Sequence, residues 1–97
     1  MKIKIYESAA ADMEEIFAYI HERSPQNARK VIDRFYEKIA LLSDYPQSGV
    51  APKDRGLTAR GYRMLISDDY LIFYLVVGDT VQIRRVLHGA SRYAKLI

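Results

Sequence analysis

The apolar residues of this chain change their spacing once, and that change limits what it can fold into. Met13, Ile16, Phe17 and Ile20 stand at i, i+3, i+4 and i+7, and Ala28, Val31, Ile32, Phe35, Ile39 and Leu42 make a second stripe of the same kind. Both are the signature of one face of a helix. From Tyr62 onward the period is two, the signature of strands, over Tyr62 to Ser67, Tyr70 to Val77 and Thr80 to His88. Ser67-Asp68-Asp69 and Gly78-Asp79 supply the turns between them, so the three strands form an antiparallel meander. At the N-terminus, Lys2 to Tyr6 alternates, with Ile3 and Ile5 on one face, and reads as a short half-buried strand. The order is β-α-α-β-β-β. The expected class is α+β, a single domain over residues 1–97 with a helical hairpin on one face of an antiparallel sheet and the other face partly open.

Punctuation residues set the helix limits. Ser8 is placed to cap the first helix, with Asp12, Glu14 and Glu15 in its early turns, and the helix runs to about Glu22. Ser24-Pro25 restarts the chain as N-cap and first helical residue, and Pro46 predicts an end to the second helix near Tyr45. Pro46 to Thr58 reads as the one long loop, carrying Gly49, Pro52, Asp54 and Gly56 with the cations Lys53 and Arg55. Residues Ser91 to Ile97 read as a last short helix. The expected core is Met13, Phe17, Ile20, Val31, Ile32, Phe35, Ile39, Phe73 and Leu75.

Several chemistries are excluded by what is missing. There is no cysteine, hence no disulfide, thiolate metal site or thiol nucleophile. His21 and His88 are far apart in sequence, so no metal site is expected, and no cofactor either: the glycine-rich phosphate loops and the GxSxG turn are absent. The longest apolar run, Leu71 to Val77, has seven residues, against about 20 for a membrane span. No signal-peptide core precedes the first strand, and a cytoplasmic protein without membrane contact is expected.

The net charge of +3 is unevenly spread. Residues 1–48 carry seven basic and eight acidic side chains, and residues 49–97 carry eight basic and four acidic ones. Six of those eight are arginines, whose planar fork suits carboxylate and phosphate, so an anionic partner is implied, either nucleic acid or an acidic protein. Strict alternation in the last strand puts Val81, Ile83, Arg85 and Leu87 on one face and Gln82, Arg84, Val86 and His88 on the other. Arg85 then interrupts an apolar face, and either snorkels at the rim or pairs with an acid from a helix. On this parity Arg63, Arg84, His88 and Tyr93 form a candidate cluster near one sheet face.

The order and spacing of several segments resemble the RelE/ParE superfamily of bacterial toxins from type II toxin–antitoxin systems. These are Ala11-Asp12-Met13-Glu14-Glu15-Ile16 with Tyr19-Ile20, Ser24-Pro25-Gln26-Asn27-Ala28, Leu42 to Gly49, Tyr62-Arg63, Tyr70 to Tyr74 and Val81 to Gly89. The resemblance covers nearly the whole chain and implies the same β-α-α-β-β-β layer. It implies a cognate antitoxin that wraps the toxin with an extended, largely helical segment, and contact with promoter DNA through that antitoxin. It also implies one of two targets: DNA gyrase, inhibited by binding, or the ribosome, where mRNA is cut without a metal. Roles in plasmid stabilization and the bacterial stress response belong to the same resemblance. In the mRNA interferase case, His88 or Tyr93 is the base, Arg63, Arg84 and Lys53 are the cations, and Lys53, Arg55, Arg60 and Arg92 bind substrate. The RelE-like pattern has Arg directly after the position of His88, whereas Gly89 stands here, and His88-Gly89-Ala90-Ser91-Arg92 looks more like the ParE side. The gyrase inhibitor is therefore favoured over the endonuclease, with a non-toxic interaction module as the third alternative.

Overall fold

Glycine and aspartate turns close the hairpins where the sequence places them. The computed structural model describes residues 1–97. Its elements are β1 (Lys2–Ile5), α1 (Glu7–His21), α2 (Pro25–Leu41), α3 (Arg55–Ala59), β2 (Arg63–Ser67), β3 (Tyr70–Val77), β4 (Thr80–His88) and α4 (Tyr93–Leu96). Gly78 takes a left-handed φ of 60° between β3 and β4, and Asp68 takes one of 54° between β2 and β3, a conformation that aspartate tolerates better than most residues. The sheet order is β1-β4-β3-β2, with β1 parallel to β4 and the other pairs antiparallel. The class is the expected α+β layer; β1 makes the sheet mixed, because the helical hairpin carries the chain back to the meander's far strand.

The helix limits differ from expectation in two places. Ser24 caps α2 as predicted, accepting a hydrogen bond from the Asn27 N–H at 3.2 Å. Ser8 does not cap α1: its hydroxyl donates to the Arg84 carbonyl at 2.7 Å, and Tyr6 stands at the N-cap without a side-chain bond. Helix α2 stops at Leu41 rather than near Tyr45, because the N–H groups of Leu42, Ser43 and Asp44 donate to carbonyls three residues back and tighten the chain into a turn. The long loop contains α3, capped by Asp54, which accepts from the Leu57 N–H at 3.0 Å.

Two apolar layers sandwich the sheet. On the helix side Met13, Val31, Phe35, Ile39 and Leu42 pack on Ile72, Tyr74, Val81, Ile83 and Val86. The other face is covered rather than open: Leu57 and Tyr62 from the α3 region lie with Leu71, Phe73 and Leu87, and Tyr93 and Ile97 from the tail pack against them. Of the expected core, Ile20, Ile32 and Leu75 are half-buried and Phe17 is 37% exposed. Phe17 falls at the outer edge of the α1 stripe, where it lines a shallow apolar groove with Ala10, Met13, Ile32 and Tyr36.

The segment Leu42 to Gly49 is anchored by one buried phenol. Tyr74 donates to the Pro46 carbonyl at 2.8 Å and accepts from the Gly49 N–H at 2.9 Å. A Cβ on Gly49 would lie 2.5 Å from the Tyr74 oxygen and 2.9 Å from the Met64 carbonyl oxygen, so only glycine fits. Gly49→Ala is expected to cost about 1–3 kcal/mol, the range for overpacking a closed site. Thermal unfolding checks this, and a midpoint equal to wild type would contradict it.

Candidate functional site: a displaced histidine and a cationic cleft

A single extra residue in β4 decides where the candidate side chains go. Phe73 pairs with Arg85 and Tyr74 with Ile83, so Arg84 has no partner and forms a bulge. Val81 and Ile83 face the helices before the bulge; after it, Val86 does so and Leu87 faces away. The strict alternation that grouped Arg84 with Val86 and His88 is therefore broken at Arg84.

The bulge coincides with the end of β1. Beyond Ile83 the edge of β4 is free of strand, and α1 takes over its hydrogen bonds: Ser8 serves the Arg84 carbonyl, and Asp12 Oδ2 accepts from the Val86 N–H at 2.9 Å. Asp12 also grips Arg85 bidentately, Nε to Oδ2 at 2.8 Å and Nη2 to Oδ1 at 3.0 Å. Arg85 thus pairs with a helix acid, one of its two expected arrangements. The Asp12 hydrogen bond holds the Arg85 guanidinium even more firmly protonated than usual. Its remaining reach is used on the Leu96 carbonyl, which ties down the tail.

The four members of the candidate cluster are not brought together. His88 faces the helix side, its ring 5.4 Å from that of Tyr70, which in turn meets Phe35 edge-on. It lies at the rim of a depression of about 580 Å3 lined also by Glu15, Asn27, Arg34, Asp68 and Tyr70. Its Nδ1 accepts from the Ala90 N–H at 3.0 Å. Burial, and secondarily Asp69, pushes the Tyr70 phenol above the ordinary tyrosine range. Tyr93 is on the opposite face, its ring 5.1 Å from that of Phe73. Arg63 lies on β2, two strands across from His88 and four residues further along β3, since it pairs with Tyr74 while His88 pairs with Tyr70. It donates to the Gln47 carbonyl at 3.0 Å. Arg84 lies over the Tyr6 ring, 4.5 Å from its centre, with Gln82 as its hydrogen-bond partner.

What does assemble is a cationic surface beside the tail. Arg60, Arg84 and Arg85 line a cleft of about 210 Å3 with Ser8, Tyr62, Leu96 and Ile97. A second shallow cleft along the same tail is lined by Lys53, Arg92, Tyr93 and Lys95, with Asp54. Arg60 is held over the Tyr62 ring at 5.1 Å. Arg55 is exposed at the start of α3. Tyr6 and Lys95 were not among the expected site residues. The gap of two residues between Ile83 and Val86, both apolar and both facing the helices, is the sequence signal for the bulge that builds this cleft. No group of three or more acids and histidines is placed to hold a metal ion, and no helix is long and apolar enough to cross a membrane.

Comparisons with known proteins bear on the family and the fold. The family model for the ParE toxin of the type II toxin–antitoxin system, parDE, matches residues 3–93. The sequence matches no curated protein. Among solved structures, a chain of the chromosomal ParDE TA system from P. aeruginosa superposes with a TM-score of 0.75 at 22% identity, covering 91% of this chain and 95% of that one. That likeness establishes the shared fold, and the family model, spanning nearly the whole sequence, establishes the kinship: the chain belongs to the ParE toxin family of type II toxin–antitoxin systems.

Proposed function

We propose that this toxin stops growth by binding DNA gyrase, with no reaction of its own, and that a cognate antitoxin neutralises it. The observation that carries this reading is the separation of His88 from Tyr93 by the thickness of the sheet. A proton taken from a 2′-hydroxyl and a charge stabilised on the adjacent phosphate need groups within hydrogen-bond reach of one substrate. Gly89 after His88 points the same way. With purified gyrase, the chain is expected to inhibit supercoiling of plasmid DNA, and co-expressed antitoxin to relieve the inhibition. Unimpaired supercoiling at a large excess of toxin would defeat the proposal.

The endonuclease reading keeps one supporting observation, that Tyr93 shares its cleft with Lys53, Arg92 and Lys95. It would have to proceed without His88. The antitoxin's contact with promoter DNA belongs to the proposal as a property of the antitoxin.

The groove between α1 and α2 suits the apolar face of a helical antitoxin segment. Phe17 is only partly covered and Tyr36 is 48% exposed, so both are available to a partner. Phe17→Glu is expected to weaken antitoxin binding at least tenfold, about 1.4 kcal/mol, by placing a charge in a desolvated contact. Titration calorimetry against the purified antitoxin checks this; unchanged affinity would remove the groove from the interface.

A further inference from the structure

Arginines without acidic partners gather on one side of this molecule, and the aromatic rings beside them are already occupied. Arg60 and Arg84 line one cleft, and Lys53, Arg92 and Lys95 the next along the tail. None of these five forms an ion pair: the acids engaged by cations elsewhere are Asp79, Asp33, Asp68 and Asp12, and Asp12 serves Arg85. The single acidic side chain lining either cleft, Asp54, is used in capping α3. The rings hold the cations in place. Tyr6 has Arg84 at 4.5 Å and Lys4 at 5.1 Å from its centre, and Tyr62 has Arg60 at 5.1 Å. Tyr62 is 3% exposed and Tyr93 leans on Phe73.

Positioned guanidinium groups without carboxylates call for an anion with several charges in a row, the chemistry of a phosphodiester backbone. Binders of single strands and of RNA loops add free aromatic faces on which unpaired bases stack. Here Tyr62 is buried beneath Arg60, Tyr6 carries a cation over its ring, and Tyr93, half-buried, packs its ring on that of Phe73. That arrangement fits a ligand whose bases are already stacked inside a duplex and which offers only phosphates. We propose that the tail-side clefts bind the backbone of duplex DNA without sequence preference, Arg60 and Arg84 forming the centre of the contact and Lys53, Arg92 and Lys95 extending it. The contact is a property of the toxin chain itself and does not depend on gyrase being the target, so the two readings fail separately.

The test is anisotropy of a labelled duplex of about 20 base pairs, titrated with the antitoxin-free chain at several salt concentrations. Each phosphate neutralised contributes about −0.9 to the slope of log K against log salt. Arg60→Gln with Arg84→Gln is expected to make the slope shallower by about 2 and to weaken binding about tenfold or more. Arg60→Lys with Arg84→Lys, which keeps both charges, should retain most of the slope. Arg29→Gln with Lys30→Gln removes the same charge from the exposed side of α2 and should leave the slope as it is. Thermal unfolding of each variant verifies that it is folded. Equal weakening by the two charge-removing pairs would reduce the effect to net charge and overturn the proposal. So would absence of duplex binding at low salt, or tighter binding to single-stranded RNA than to duplex DNA. A wild-type chain that inhibits gyrase but does not bind the duplex would overturn this inference alone.

Discussion

Asp12→Ala is expected to destabilise the fold by about 3 kcal/mol, the lower part of the range for breaking a buried ion pair. The loss has two sources. Arg85, only 24% exposed at its side chain, keeps its charge and loses both carboxylate bonds, and the Val86 N–H on the free edge of β4 loses its acceptor. A domain of this size has about 5–15 kcal/mol in total, so the variant should unfold at a markedly lower denaturant concentration. Asp12→Ala with Arg85→Met should recover part of the loss, because an apolar pair no longer strands a charge. Urea unfolding of the single and double variants is the check. A single variant within about 0.5 kcal/mol of wild type would mean that water replaces Asp12 at no cost, and the role given to the α1–β4 junction would be wrong.

Phe35→Ala should cost about 3–5 kcal/mol, as expected for removing a phenyl ring from a close-packed site. Phe35 is wholly buried, at the centre of the α2 stripe, and its ring meets Tyr70 edge-on with centres 5.6 Å apart. The same unfolding experiment measures it. A loss below about 2 kcal/mol would show that the helix layer collapses into the vacated space more readily than its packing suggests.

Those two residues mark the two ways in which the sequence was readable. Phe35 announced itself through helical spacing, and most of the helix-side core and every strand followed from period and turn residues alone. Phe17 broke the pattern because a stripe has edges: two helices lying side by side leave the outer flank of each stripe uncovered unless a third element closes it. The far face was harder to read. Its cover comes from Leu57, Tyr62, Tyr93 and Ile97, scattered over a loop, a five-residue helix and the tail, where no periodicity exists to mark them.

The candidate site failed at a single residue. Counting alternation straight through Arg84 placed His88 on the far face, whereas the bulge turns it to the helices. A parity argument has no tolerance for an inserted residue, and two adjacent arginines between Ile83 and Val86 were the only local sign of one. The same insertion lets Arg85 reach Asp12 and leaves Arg84 to Tyr6, so the cationic cleft and the displaced histidine have one cause.

The separation of His88 and Tyr93 is tested most directly by growth. The chain is expressed without antitoxin, as wild type and as His88→Ala with Tyr93→Phe, and cellular mRNA is mapped for cuts at ribosome-bound codons. The gyrase reading predicts no such cuts and growth inhibition by the folded double variant close to that of wild type. Codon-positioned mRNA cleavage by wild type, abolished together with toxicity in a double variant that still folds and still binds antitoxin, would contradict it.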